Sequence, residues 1–442
     1  MVQDIRTRPL DRSQSDAVRI LSSAAEDLPP PEQADGFGDF FHRFGAAEIV
    51  LLGEATHGTS EFYRARAAIT RCLIRDHGFN IVAVEADWPD AGRIDRYVRH
   101  GSSHLEGERA FSRFPSWMWC NQEVLEFAEW LRKFNQPRPE ADRVEFRGLD
   151  IYSLSTSMAA VLSYLDRIDP QEAAAARRRY GCLTPWQDDP GRYGHHAVMG
   201  GETCEAEVQE QLLNLLKARL DYAARDGNDF FDAAQNARIV RAAERYYRIM
   251  YRGSRESWNL RDRHMFDTLQ LLVKHRKKAK TVVWAHNSHI GNAAATSMGW
   301  EGEFNIGELC RTAYGSDMAA IGFGTDRGTV AAASDWDSPM EVKAVRPARP
   351  DSYEYLFRHA GHARSLTDWR TRPDLRALLQ EVRLERAIGV VYRPDTELLS
   401  HYFQAVMSEQ FDALIWFEDS RAITPLPLER PKGMPETYPF GL

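Results

Sequence analysis

Gly53-Glu54-Ala55-Thr56-His57-Gly58-Thr59-Ser60-Glu61-Phe62-Tyr63-Arg64-Ala65-Arg66 follows directly on an apolar run, Ala47-Glu48-Ile49-Val50-Leu51-Leu52. The run reads as a strand buried on both faces, as in a parallel sheet. Phe62, Ile69 and Leu73 then mark the apolar stripe of a helix. Glu54, His57 and two glycines therefore occupy a strand-to-helix turn. In an open α/β sheet such turns carry the chemistry, because the ligand crevice lies beyond the carboxyl ends of the strands. Arg66 comes four residues after Phe62 and shares its inward stripe, whereas Arg64 falls on the solvated side. Stranding one member of a buried ion pair costs about 3–5 kcal/mol, so an inward Arg66 requires an acid. Glu54 is the nearby candidate. The same residues also fit a plain structural ion pair, with His57 merely starting the helix.

The 442 residues are 43% hydrophobic and 27% charged, an ordinary globular composition. A net charge of −8 carries no nucleic-acid footprint. No apolar run approaches the ~18 residues of a membrane span. Met1-Val2-Gln3-Asp4-Ile5-Arg6-Thr7-Arg8 lacks the apolar core of a signal peptide, so the expectation is a cytoplasmic protein. The five cysteines (72, 120, 182, 204 and 310) are scattered and never form a Cys-x-x-Cys pair, which predicts neither a disulfide framework nor a zinc-finger site.

Residues 1–38 read as a polar leader ending near Pro29-Pro30-Pro31, residues 39–154 and 278–442 as an α/β core, and residues 155–277 as a helical insertion. Within the core, the strand at 81–84 ends at Glu85-Ala86-Asp87-Trp88-Pro89, and a strand at 144–150 ends at Asp150. Asp150 suits either orienting the site or capping a helix. Thr281–Trp284 is the next strand, followed at once by Ala285-His286-Asn287-Ser288-His289. Later strands are expected at 318–323, 329–333, 387–392 and 411–417. Strand and helix signals alternate, so the fold class is α/β, a mostly parallel central sheet flanked by helices with a large α-helical insertion. Trp117, Trp119, Phe127, Trp130 and Phe134 read as core. A Gly/Pro-rich loop at 184–201 interrupts the insertion, and its His195-His196 pair reads as solvated.

Convergence is the argument for a functional site. Glu54 and His57, then Glu85, then His286 and His289 all fall just after buried strands, and parallel strands would bring them to one rim. Imidazole is suited to proton transfer near neutral pH. No Gly-x-Ser-x-Gly elbow supports a serine nucleophile.

The segments Gly53-Glu54-Ala55-Thr56-His57-Gly58, Glu85-Ala86-Asp87-Trp88-Pro89 and Trp284-Ala285-His286-Asn287-Ser288-His289 resemble the erythromycin esterase family. So do Trp117-Met118-Trp119, Arg261-Asp262-Arg263-His264-Met265 and Gly389-Val390-Val391-Tyr392-Arg393-Pro394. The resemblance implies an α/β core with a helical insertion and hydrolysis of a macrolide lactone ester. It implies site residues Glu54, His57, Arg66, Glu85, His286 and His289, with His57 as the base that activates water. Two other readings stay open: a metal-dependent hydrolase holding zinc or manganese with the same acids and imidazoles, or a metal- or haem-binding protein on a related fold. Arg66 favours a site with no metal and no cofactor, since its permanent charge competes with an ion for the carboxylates. The expected partner is a small-molecule ester or lactone, with no nucleic acid and no membrane. Trp88, Phe111, Phe114 and Trp117 are expected to supply an apolar wall for it, and the 184–201 loop a lid. Substrate identity and oligomeric state stay open.

Overall fold

Ile49, Val50, Leu51 and Leu52 are all fully buried and form the central strand β2 of the computed structural model. The structure describes residues 10, 12–101, 115–218, 222 and 227–427. In chain order the remaining strands are β1 (Glu26–Asp27), β3 (Ile81–Asp87), β4 (Glu145–Asp150), β5 (Thr281–Trp284), β6 (Met318–Ala333), β7 (Met340–Val345), β8 (Arg364–Asp368), β9 (Arg383–Arg386), β10 (Tyr402–Ala405) and β11 (Ala413–Ser420). Nine of them make one sheet in the order β1-β8-β11-β6-β2-β5-β3-β4, with β7 paired to β6. The six strands from β11 to β4 run parallel, and β1, β7 and β8 are antiparallel additions.

Side-chain parity divides the core. Val50, Leu52, Val82, Val84, Val282 and Trp284 face the helices Ser60–His77 and Gln122–Asn135. Ile49, Leu51, Ile81, Ala83 and Val283 face Met265, Phe266 and Leu269 of the helix Ser254–His275. Successive strand residues point to opposite faces, so uninterrupted apolar runs are what a sheet covered on both sides requires. The helices Leu154–Ile168, Pro170–Tyr180, Pro190–Val198, Glu205–Lys217 and Gly227–Ile249 gather around an apolar core of their own that includes Val161, Leu165, Leu215 and Tyr247. Among the described residues no helix is long and apolar enough to cross a membrane.

Several details differ from the sequence reading. The expected strands at 318–323 and 329–333 are one continuous strand, because β11 stays in register with β6 through Asp419↔Arg327 and Ser420↔Gly328. The expected strand at 387–392 is displaced to β9, whose ladder partner is β10. Ile388 and Val391 instead make isolated bridges to Thr56 and Ala333. The 184–201 segment is not a free loop. It holds a 3-10 turn (Thr184–Trp186) and the helix Pro190–Val198, started by the Asp189 side chain accepting from the Arg192 N–H at 3.2 Å and by Pro190 at its first position. His196 packs on Trp186 and His195 on Tyr251 within this unit. Cys182 and Cys204, which lack any recognisable sequence spacing, form a disulfide that closes the same unit.

The turn after β2 is held tightly against the sheet. The Gly58 carbonyl accepts from Ala331 N at 3.1 Å and from Ile423 N at 2.9 Å, and a Cβ on Gly58 would lie 2.0 Å from the Ala331 carbonyl oxygen. Neither backbone can yield without breaking β6. Gly58→Ala is expected to destabilise the protein by about 1–3 kcal/mol, read as a lowered urea midpoint. An unchanged midpoint would mean that the turn can swing away from β6.

Candidate active site

Register brings the rim together. Leu52 pairs with Trp284 and Trp284 with Val84, so the residues that follow all three strands emerge at one edge of the sheet. Glu54, His57, Glu85, His286 and His289 all lie there, each at most 4% exposed.

His57 Nδ1 is 2.8 Å from Glu54 Oε1, and Arg66 Nη2 is 2.8 Å from Glu54 Oε2. Arg66 and Glu54 are completely buried. The guanidinium makes no aligned hydrogen bond in this pair, so it acts on Glu54 through charge. Its flat face packs 4.4 Å from the Tyr63 ring and 5.2 Å from that of Trp284, a favourable cation–π arrangement. Tyr63 donates its hydroxyl to the His57 carbonyl at 2.8 Å and so fixes the backbone of the turn. The Glu54 carboxylate beside Nδ1 accepts the hydrogen bond of the His57 tautomer that carries its proton there. Among the described residues nothing hydrogen-bonds to Nε2, which leaves that nitrogen as the acceptor.

A second cluster surrounds Glu85. Arg261 donates from Nη2 to Glu85 Oε1 at 2.7 Å and grips Asp150 from Nε and Nη2 at 2.9 and 2.8 Å. Burial alone would raise the pKa of Glu85, but His289 and Arg261 outweigh it and hold the carboxyl well below its ordinary value. Asp150 is also lowered, its Arg261 contacts overcoming burial. His289 directs Nδ1 at Asp262, 2.9 Å away, and stacks on Trp258 with ring centres 4.5 Å apart. Its Nε2 lies 3.0 Å from Arg261 Nη1 and 3.3 Å from Glu85 Oε1. The ring thus has two settings. Neutral, it accepts from Arg261; protonated, it donates to Glu85. Burial opposes the proton, but Asp262 and Glu85 together raise the His289 pKa to about 9. Asp262 is shifted upward by burial, which the His289 charge only partly offsets.

His286 connects the two clusters. Its backbone N–H donates to Glu85 Oε2 at 2.8 Å, and its ring lies 4.8 Å from that of His57. Nδ1 accepts from the Ser288 backbone N–H at 3.2 Å, so the proton of the neutral ring sits on Nε2. Burial, and then His57, push its pKa well below the ordinary value. Nε2 is buried and makes no aligned hydrogen bond among the described residues, while the Ala55 carbonyl favours its proton. The arrangement offers one imidazole nitrogen to accept a proton and a neighbouring imidazole N–H to donate a hydrogen bond.

Of the four residues expected to form an apolar wall, the two described ones are buried. Trp88 is 1% exposed; its indole donates to Asp232 at 2.7 Å and its ring packs against Phe231. It ties the end of β3 to the insertion. Trp117 is buried in the core with Trp119 and Phe127. Phe111 and Phe114 lie outside the described residues. The sequence reading missed Arg261, Asp262 and Trp258 as members of the site. Trp258, Arg261 and Met265 share one helical stripe, so the argument that turned Arg66 inward also applied to Arg261. Three of the rim carboxylates are held by guanidinium groups, Glu54 by Arg66, and Glu85 with Asp150 by Arg261.

Comparison with known proteins places the chain. The erythromycin esterase family model matches residues 74–420. Glu54, His57 and Arg66 precede the matched segment. An erythromycin esterase type II of Escherichia coli is 22% identical over 416 residues, covering 88% of this chain and 94% of that one. Among solved structures, a Bacillus cereus protein superposes with a TM-score of 0.78 at 20% identity, covering 95% of this chain and all of the other. A mutant of the erythromycin esterase EreC in its open conformation gives 0.64 at 19% identity, with 90% and 98% covered. With most of its length matched by the family model, the chain belongs to the erythromycin esterase family.

Proposed function

We propose that this chain is a hydrolase that cleaves a small-molecule ester or lactone with water activated by His57. The observation that carries the reading is the buried Arg66–Glu54–His57 relay beside the His286 ring, 4.8 Å from that of His57. His57 Nε2 takes a proton from water as the water oxygen bonds to the substrate carbonyl carbon. The carbonyl electron pair moves onto oxygen, and the His286 Nε2–H donates to that oxyanion. Collapse of the tetrahedral adduct breaks the bond to the alkoxide, which recovers the proton from His57. Glu54 keeps the accepting nitrogen of His57 free, and Arg66 holds Glu54 in place. Glu85 seats the His286 backbone, while Arg261, Asp150, Asp262 and His289 hold Glu85 in place. Membership of the erythromycin esterase family and the esterase relative support hydrolysis. A macrolide lactone is the substrate class those relatives' names suggest, and the carbonyl chemistry is the same for simpler esters.

A hydrolysis screen over macrolides, lactones and simple esters tests the reading, with His57→Ala as control. A positioned general base contributes about 10²–10⁴ in rate, so the variant is expected to lose at least ~100-fold in kcat while keeping its far-ultraviolet circular dichroism. A folded His57→Ala enzyme that retains full activity would remove His57 as the base.

The His289 cluster gives a pH dependence with a definite sign. A histidine whose folded pKa is about 9 stands above its ordinary value near ~6.5. Its stabilisation is fully present below the ordinary value and is lost as pH rises through the folded one. The urea midpoint is therefore expected to fall between about pH 6.5 and 9, with a shallower slope in His289→Asn. Identical slopes in the two proteins would show that His289 is not the titrating group.

A further inference from the structure

The helix Ser60–His77 starts at the catalytic rim and runs back along the sheet, so its last turns lie at the opposite end of the strands. There Cys72 and His77 meet His42 of the 3-10 turn Asp39–Phe44. His42 Nδ1 lies 2.8 Å from His77 Nε2 and 3.6 Å from Cys72 Sγ. The three atoms are all within 4.8 Å of one another, and no other trio of potential ligands among the described residues converges in this way. We propose that His42, Cys72 and His77 form a site for a zinc-like divalent cation, separate from the catalytic rim.

Zinc–nitrogen bonds of about 2.0–2.1 Å and zinc–sulfur bonds of about 2.3 Å, set at tetrahedral angles, put ligand nitrogens about 3.3 Å apart and nitrogen about 3.6 Å from sulfur. The His42–Cys72 edge already has this length, and the His77–Cys72 edge lies within 4.8 Å. The nitrogen edge needs to open by about half an ångström, which His42 can provide because its ring is exposed. Two further features favour a built site. Asp39 Oδ1 lies 3.5 Å from the other nitrogen of His42, the carboxylate–histidine–metal relationship that orients a ligating ring. Gly45 leaves the seat for His77, since a Cβ there would fall 2.0 Å from His77 Nδ1. A thiolate with two imidazoles selects a borderline cation over magnesium or calcium, and water completes the fourth position. On binding, the Cys72 thiol releases its proton to solvent. The imidazole that donates in the His42–His77 hydrogen bond moves its proton to its other nitrogen.

Cys72 lies six residues beyond Arg66, about 9 Å along the helix, so the cation does not touch the reacting groups. It clamps the turn that leads into β2 onto the helix that carries Arg66. Its consequence is stability.

Cobalt(II) titration of the untagged protein, with its Cys182–Cys204 disulfide intact and Cys72 as the free thiol, tests this. One equivalent should bind with a thiolate-to-cobalt charge-transfer band and the visible bands of a tetrahedral site, and zinc should displace it and raise Tm. Cys72→Ser and the exposed-site variant His42→Ala should each lose that equivalent and the zinc-dependent rise in Tm. His57→Ala should keep both, so the result stands apart from any outcome of the hydrolysis assay. Absence of cobalt binding, a bound ion without the thiolate band, or an undiminished equivalent in Cys72→Ser would overturn the proposal.

Discussion

Parallel register across β3, β5 and β2 is the constraint on which the rest of the molecule depends. Because Val84, Trp284 and Leu52 stand side by side, three separate stretches of chain leave the sheet at one level and pool their polar residues. A slip of one residue in any pairing would exchange the two buried faces and turn Val50 and Leu52 towards the wrong layer of helices. The apolar packing that enforces register therefore also aligns Glu54, Glu85 and His286. Packing and chemistry share one geometric cause.

Burying so much charge is possible because the acids and bases meet in matched sets. Arg66 answers Glu54, and Arg261 answers both Glu85 and Asp150. Each guanidinium comes from a helix on a different side of the sheet, the first from Ser60–His77 and the second from Ser254–His275. The rim is thus clamped from both faces. Low local dielectric strengthens these pairs and makes any broken one costly. It also separates the roles of the imidazoles. His286, buried and next to His57, stays neutral, while His289, between Asp262 and Glu85, favours its proton.

The alternation of apolar strands with amphipathic helices was legible in the chain, and with it the mostly parallel sheet. The inward turn of Arg66 was legible too, because helical spacing alone places it on the stripe of Phe62. Arg261 carries the same signal, but its place in a long helical segment conceals which strand rim it reaches. The 184–201 segment has loop-like composition because its glycines and prolines mask a helix start at Asp189-Pro190. The displaced β9 shows the opposite error, since 387–392 has strand composition but spends it on single bridges to Thr56 and Ala333.

Local sequence thus determined which segments become strands and helices, and that acids and imidazoles follow the strands, because periodicity and turn chemistry act over a few residues. It did not determine partners. That Glu85 belongs to Arg261 and Glu54 to Arg66, that His289 leans on Asp262, and that Cys182 pairs with Cys204 depend on strand order and on how the helices dock. Those are long-range choices made by the packing of two buried faces, and only the tertiary structure records them.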